Sequence, residues 1–88
     1  MKRIAVISAI LEEPARCQGR FNEIVSEYQS IVQGRMGIPF ADGEIAAICI
    51  TVMGTLDEIN ALTGRLGKIP NVSVKTSVSK KTVGEKEA

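Results

Sequence analysis

Two stretches of the chain carry apolar residues at odd and even positions alike. They run from Arg3 to Leu11 and from Ile45 to Met53, and neither contains a charge beyond Arg3 itself. Successive side chains of a strand point to opposite faces, so each stretch predicts a strand that is buried on both sides. We therefore place both stretches at the centre of a β-sheet.

Two further stretches, residues 30–38 and 72–79, are apolar mainly on one side and predict edge strands. The first contains Gly34 and Gly37, which weaken a strand and indicate a β-bulge. Between this strand and the second central strand, Asp42-Gly43 has the chemistry of a hairpin turn, because both residues can adopt positive φ.

Amphipathic helices are predicted in the two remaining intervals. The first begins at Pro14, which suits the first helical position. Its apolar stripe consists of Cys17, Phe21, Ile24, Val25 and Tyr28. The second helix follows Thr55, whose spacing from Glu58 is that of a capping box. Gly67 is placed to end this helix in a left-handed conformation.

The predicted order of elements is strand, helix, strand, strand, helix, strand. Two strand–helix–strand units of this kind form a four-stranded antiparallel sheet with both helices on one face. This is the ferredoxin-like α+β sandwich (βαββαβ). That topology puts the first and third strands at the centre, in agreement with the two stretches that are apolar on both sides. We predict one domain over residues 1–79 and a flexible tail over residues 80–88, where the periodicity ends.

Two helices cover one face of such a sheet and leave the other face open. Judged by size, the bulkier residues of the central strands belong beneath the helices: Ile4, Val6, Ile10, Ile48, Ile50 and Val52. The smaller ones are then predicted to form an oligomer interface on the open face: Ala5, Ile7, Ala9, Ala47, Cys49 and Thr51. Its polar rim would be Gln33, Arg35, Ser73 and Lys75. This interface predicts a homodimer or homotetramer; the alternative is an apolar sheet face that contacts only solvent.

Composition narrows the classes of function. The 88 residues include 11 Lys and Arg and 10 Asp and Glu, a net charge of +1, without the basic excess of a protein that binds nucleic acid directly. No apolar stretch approaches the roughly 20 residues that span a membrane, so we predict a cytoplasmic protein with no membrane partner. There is no histidine, and Cys17 and Cys49 lack metal-ligand spacing. We expect no metal, no cofactor and two buried thiols, with one disulfide as the alternative.

No set of residues indicates catalysis. Histidine, the commonest general base, is missing, and the acidic pairs at residues 12–13 and 57–58 lie at predicted helix starts, where they complement the helix dipole. The segment hardest to explain as core is the edge strand at residues 34–37, because a strand gains nothing from two glycines unless a backbone or ligand approaches closely. Gly34, Arg35 and Gly37 are therefore candidate ligand-binding residues, with Arg35 suited to an anion. The alternative is a bulged strand with Arg35 in solvent.

The same segment carries a family resemblance. Residues 32–39 (VQGRMGIP) and 62–75 (LTGRLGKIPNVSVK) resemble the family of iron-only hydrogenase system regulators, and the similarity extends from about Lys2 to Ser79. The resemblance implies a ferredoxin-like fold close to ACT domains and to the C-terminal domain of nickel-responsive regulators. It also implies a regulatory role and a homo-oligomeric assembly.

The chain departs from those relatives at two points. ACT domains that bind amino acids usually have Pro-Gly after the first strand, where this chain has Pro14-Ala15, and nickel-responsive regulators use histidine ligands that are missing here. Our hypothesis is a non-catalytic, oligomeric regulatory or ligand-sensing module associated with an iron-only hydrogenase system, which binds an unidentified small molecule or another protein. The alternatives are a small dimeric ferredoxin-like enzyme and a structural partner protein in a maturation system.

Overall fold

Strands and helices occur in the predicted order. The computed structural model describes residues 1–84. Its elements are β1 (Lys2–Glu12), α1 (Pro14–Glu27), β2 (Val32–Phe40), β3 (Ile45–Gly54), α2 (Leu56–Gly67) and β4 (Val72–Val83), with a 3-10 turn at Ala41–Gly43. The strands form one antiparallel sheet in the order β2-β3-β1-β4, which puts β1 and β3 at the centre and confirms the ferredoxin-like fold.

The start of each helix follows from local sequence. Pro14 occupies the first position of α1, where its missing N–H is not needed for an intrahelical bond. At α2 the capping box is complete: the Thr55 hydroxyl accepts from the Glu58 N–H at 3.1 Å, and the Glu58 carboxylate accepts from the Thr55 N–H at 2.9 Å. The predicted left-handed Gly67 is wrong, because the turn after α2 takes its positive φ at Asn71 (72°).

The connection from β2 to β3 has the predicted turn chemistry. Asp42 and Gly43 adopt positive φ values of 56° and 89°, and Ala41 does so as well. The register of β2 against β3 shifts between Val32 and Gly34, which confirms a bulge in this edge strand.

The core lies between the helices and one face of the sheet. Its buried strand residues are Ala5, Ile7, Ala9 and Leu11 of β1, with Ile48, Ile50 and Val52 of β3. Phe21 of α1 and Ile59, Leu62 and Leu66 of α2 are fully buried in the same cluster. The helices therefore share a single apolar contact layer with the central strands.

The prediction that Ala5, Ile7 and Ala9 face outward is wrong. Their β3 partners are Val52, Ile50 and Ile48, all of them buried. Directly paired residues of an antiparallel sheet project to the same face, so the register places all six beneath the helices. Small residues there leave room for bulky helix side chains such as Phe21. The polar content of the other set, which includes Ser8, indicates the outward face better than size does.

The domain extends beyond the predicted boundary. β4 continues to Val83, where residues 80–83 were expected to belong to a tail, and Lys2 and Arg3 pair with Val83 and Thr82. Extended backbone needs no apolar periodicity when a neighbouring strand supplies its hydrogen bonds, so periodicity alone placed the boundary too early. The remainder of the predicted tail, residues 85–88, lies outside the described residues.

Candidate functional site

The sheet face opposite the helices, here called the open face, is apolar across β1, β2 and β3. Val6 and Ile10, expected beneath the helices, lie on it with 36% and 49% of their surface exposed. Most of the exposed large apolar side chains in residues 1–84 share this face: Val6, Ile10, Met36, Ile38, Phe40 and Ile45. Such a concentration is typical of a surface that forms a contact.

The three predicted interface residues of β3 lie on the open face. Ala47, Cys49 and Thr51 are half-buried in the middle of this strand. A shallow depression of about 220 Å³ beside them is lined by Ser8, Ile10, Met36, Ile38, Ala47 and Cys49. None of the charged residues among positions 1–84 lines it. The middle of the open face is thus neutral and predominantly apolar.

The predicted polar rim divides between the two faces. Ser73 and Lys75 of β4 pair with Ile10 and Ser8, so they border the open face. Arg35 pairs with Ile50 and therefore lies on the helix side, not in this rim. The bulge is the reason, because the one extra residue that it inserts in β2 changes which side chains alternate outward.

On the helix side of β2 there is a groove of about 260 Å³ between this edge strand and the start of α1. We call it the β2 groove. It is lined chiefly by Pro14 and Gln18 of α1, by Arg35, Gly37 and Pro39 of β2, and by Ile48 of β3. The helices cover the central strands more fully than this edge, since every residue of β2 after Val32 is exposed. Two of the three predicted ligand residues, Arg35 and Gly37, therefore come together here.

Arg35 is held in place by α1. Its Nη2 donates a hydrogen bond to Oδ1 of Asn22, and its guanidinium carbon lies 5.6 Å from the centroid of the Phe21 ring. Both contacts leave the positive charge unneutralised. They fix the planar group at the groove, where its remaining N–H donors can meet an anion.

The two glycines of β2 have different surroundings. A Cβ added at Gly37 would meet only Cγ1 of Ile48, at the ordinary contact distance of 3.7 Å. Its φ is not positive, so neither backbone conformation nor packing requires glycine there. Gly34 pairs with Thr51, belongs to the open-face side of the strand, and has nothing within 4 Å of an added Cβ. Gly34 is not part of the groove.

Several other arginines have carboxylate partners. Arg16 forms an ion pair with Glu13, the residue directly before α1, at 3.2 Å, and Arg20 pairs with Glu23 of α1 at 2.8 Å. Arg65 of α2 pairs with Glu27 of α1 at 2.7 Å and lies 5.8 Å from the ring centroid of Tyr28. The hydrogen bond from Arg65 lowers the pKa of Glu27. Within residues 1–84, no ion pair forms at Arg35.

The two cysteines are free thiols. Cys17 is buried beside the first turn of α1, and burial, aided by the charge of Glu13, raises the pKa of its thiol. Cys49 is half-buried on the open face. The predicted disulfide alternative is therefore wrong, and Cys49 is less buried than predicted.

Residues 1–84 lack a metal-binding cluster and a membrane-spanning helix. In that part of the chain, no three His, Cys, Asp or Glu side chains gather where they could hold a metal ion. Neither α1 nor α2, the helices of the described chain, is long and apolar enough to cross a membrane.

Comparison with known sequences decides the family. Residues 3–76 match the family described as "TM1266-like: Iron-only hydrogenase system regulator, putative". The chain belongs to this family. The TM1266-like match includes both segments that carry the resemblance in the sequence, together with all the residues of the β2 groove.

The solved structures that resemble this TM1266-like protein include the following two. One is titled "The structure of uncharacterized protein TM1266 from Thermotoga maritima"; it is 29% identical, has a TM-score of 0.85, and the match covers 91% of this chain and 100% of that one. The other is the solution structure of the C-terminal domain of the MgtC protein from Mycobacterium tuberculosis, with 17% identity, a TM-score of 0.64 and 94% coverage of each chain. The second likeness shows the fold alone. No similar sequence is found among curated proteins.

The sequence singled out Arg35 and Gly37, which both line the groove, but not the residues of α1 on its other side. Gln18 lies one helical turn before Asn22, on the flank of α1 that borders β2. In the sequence, the only indication of this flank was two polar residues four positions apart beside the apolar stripe of the helix. This spacing points to a binding groove only when β2 is known to lie beside α1.

Proposed function

We propose that this protein is a non-catalytic regulatory module of an iron-only hydrogenase system, which self-associates through the open face and senses a small molecule. The family description supports the regulatory role. The observation that carries the self-association is the open face itself, whose middle is neutral and apolar and which residues 1–84 leave uncovered. Groups that could act as an acid–base pair do not line the β2 groove, which favours binding over catalysis.

The occupant proposed for the open face is a second copy of the chain. Four strands about 4.8 Å apart and ten residues long at about 3.3 Å per residue give a face of about 600 Å². Two such faces in contact would bury about 1,200 Å², which is the lower end of the range for stable protein interfaces. A face of regular strands can meet itself across a two-fold axis, and the net charge of +1 adds almost no repulsion between copies.

Sedimentation of wild type and Cys49→Glu protein tests this proposal. We expect wild type to be a dimer or tetramer at micromolar concentration and Cys49→Glu to be a monomer of 9.4 kDa that keeps its helix and strand content. The carboxylate would be desolvated without a partner in the interface, whereas water can reach it in the monomer.

The matched control is Asn60→Glu, which adds the same charge at an exposed position of α2. This variant should assemble like the wild type. A wild-type protein that stays at 9.4 kDa up to submillimolar concentration would overturn self-association and leave the open face to a different protein. Cys49→Glu protein that assembles normally would instead exclude this face as the contact.

A further inference from the structure

We infer that the β2 groove binds a small carboxylic acid with an apolar body. The inference rests on the proposed function for its ligand-sensing part alone and names the class of ligand. Three features of the groove carry it: an arginine that forms no ion pair within residues 1–84, an apolar lining, and a strand glycine that neither backbone conformation nor packing requires. Each bears on a different part of the ligand.

Arg35 binds the charged end of the ligand. Its guanidinium is fixed by Asn22 and Phe21, and a fixed planar fork matches the two oxygens of a carboxylate. Because the side chain is already ordered, little rotamer entropy remains to be lost on binding. The side-chain amide of Gln18, which also lines the groove, supplies a further N–H donor.

The remaining lining selects the body of the ligand. Pro14, Pro39 and Ile48 present apolar surface, and the lining holds one positive charge and no negative one. A single arginine suits a monoanion better than a phosphate dianion, which usually gathers several cations or backbone N–H groups. The volume of about 260 Å³ is below the usual range for drug-sized ligands and therefore favours a compact acid.

Gly37 leaves the space in which that body fits. Glycine in a strand interior costs about 0.5–1 kcal/mol relative to alanine, and here no positive φ or close contact explains it. An added side chain would project to the helix side of β2, where Ile48 is its nearest neighbour. It would fill the groove and not collide with the core.

Nuclear magnetic resonance titration of the ¹⁵N-labelled 88-residue chain is the direct test. The probes are benzoate and hexanoate at millimolar concentration, with benzamide and hexanamide as uncharged matches and inorganic phosphate as an anion without an apolar body. Both carboxylates should give saturable shifts at the backbone amides of Gln18, Gly37 and Gly43. The uncharged probes and phosphate should bind about tenfold more weakly or not at all, since each lacks one of the two recognised parts.

Variants separate the two halves of the site. Arg35→Met keeps the stem without the charge and should weaken the carboxylates about tenfold or more. Arg35→Lys, which keeps the charge without the fork, should recover only part of that loss. Gly37→Val should abolish binding by filling the groove, and its matched control Gly34→Val, on the other face of the same strand, should not change it.

Several results would overturn the inference. They are the lack of saturable shifts with either carboxylate, shifts centred away from the groove, equal binding by phosphate, and unchanged affinity in Arg35→Met or Gly37→Val protein. Binding is read from amide shifts in whatever oligomeric state the protein adopts. A monomeric protein that binds carboxylates would therefore refute self-association alone, and an oligomer that binds none would refute this inference alone.

Discussion

Gly54 is the glycine whose replacement the structure penalises most clearly. It lies at the end of β3, directly before the Thr55 that caps α2. A Cβ at this position would be 2.8 Å from Oε1 of Glu58 and 3.1 Å from Cγ2 of Ile31. Both neighbours are constrained, because the Glu58 carboxylate accepts the Thr55 N–H within the capping box and Ile31 is buried. Gly54→Ala should therefore destabilise the fold.

The expected cost has two parts. Displacing the Glu58 carboxylate gives up one hydrogen bond of the cap, about 0.5–1.5 kcal/mol. Moving Ile31 by a few tenths of an ångström in a packed core adds a cost of the kind seen on overpacking, which is about 1–3 kcal/mol in total for comparable insertions. We expect a combined loss of about 2 kcal/mol in the free energy of unfolding. With a urea dependence of about 1 kcal/mol/M for a chain of this size, the midpoint should fall by about 2 M.

Urea unfolding followed by circular dichroism measures this loss. All proteins should be compared at one concentration, because self-association would make apparent stability depend on concentration. The matched control is Gly64→Ala on the exposed surface of α2, where an added Cβ meets nothing within 4 Å. The same chemical change should there raise stability by about 0.5–1 kcal/mol, since alanine is the better helix former.

Repeating the substitution in Glu58→Ala protein identifies which contact causes the loss of stability. In Glu58→Ala protein the contact at 2.8 Å is gone, so Gly54→Ala should cost less than in the wild type while the Ile31 contact remains. A Gly54→Ala protein as stable as the wild type would show that neither contact opposes a Cβ at this position. An equal cost in both backgrounds would show that Glu58 plays no part in it.

Two further measurements test individual contacts. Since Arg65 lowers the pKa of Glu27 below its ordinary value of 4.5, this pair stabilises the fold at neutral pH and loses its effect as the pH falls through the lowered value. Glu27→Gln should slightly lower the melting temperature at pH 7, with the difference disappearing in acid; a difference independent of pH would contradict the ion-pair explanation. For the thiols, Cys49 should react with a disulfide reagent at pH 8 faster than Cys17, whose burial and raised pKa protect it. Cys17→Ala and Cys49→Ala proteins report each thiol alone, and equal rates in the folded state would refute the assigned burial.

The element order could be predicted from sequence because each element carries its own local signal. Apolar residues on both sides indicated β1 and β3, Pro14 the start of α1, and Thr55 with Glu58 the start of α2. The orientation of β1 could not be derived in the same way. Which face of β1 meets the helices depends on its register with the neighbouring strands. The small size of Ala5, taken alone, indicated the wrong face.

The candidate site likewise has features that a local sequence pattern indicates and features that depend on contacts between elements. Arg35 and Gly37 are unusual within their own strand, so sequence alone singled them out. Which face they occupy follows from the bulge between Val32 and Gly34, and the groove exists only because α1 passes beside the edge strand. Neither relation is encoded in a local pattern. Gly34 shares only its residue type with Gly37, because it pairs with Thr51 on the open-face side of the strand.

Both edges of the sheet resist further strand pairing. β2 is interrupted by its bulge and has Pro39 near its end, while β4 carries Lys75, Lys80 and Lys81 and is also out of register with β1 near its end. Prolines, bulges and lysines are the features that prevent edge strands from adding new neighbours. We therefore expect these edges to disfavour the addition of further copies side by side, which would extend the sheet without limit. The contact that we propose between two open faces would, by contrast, close after a fixed number of copies.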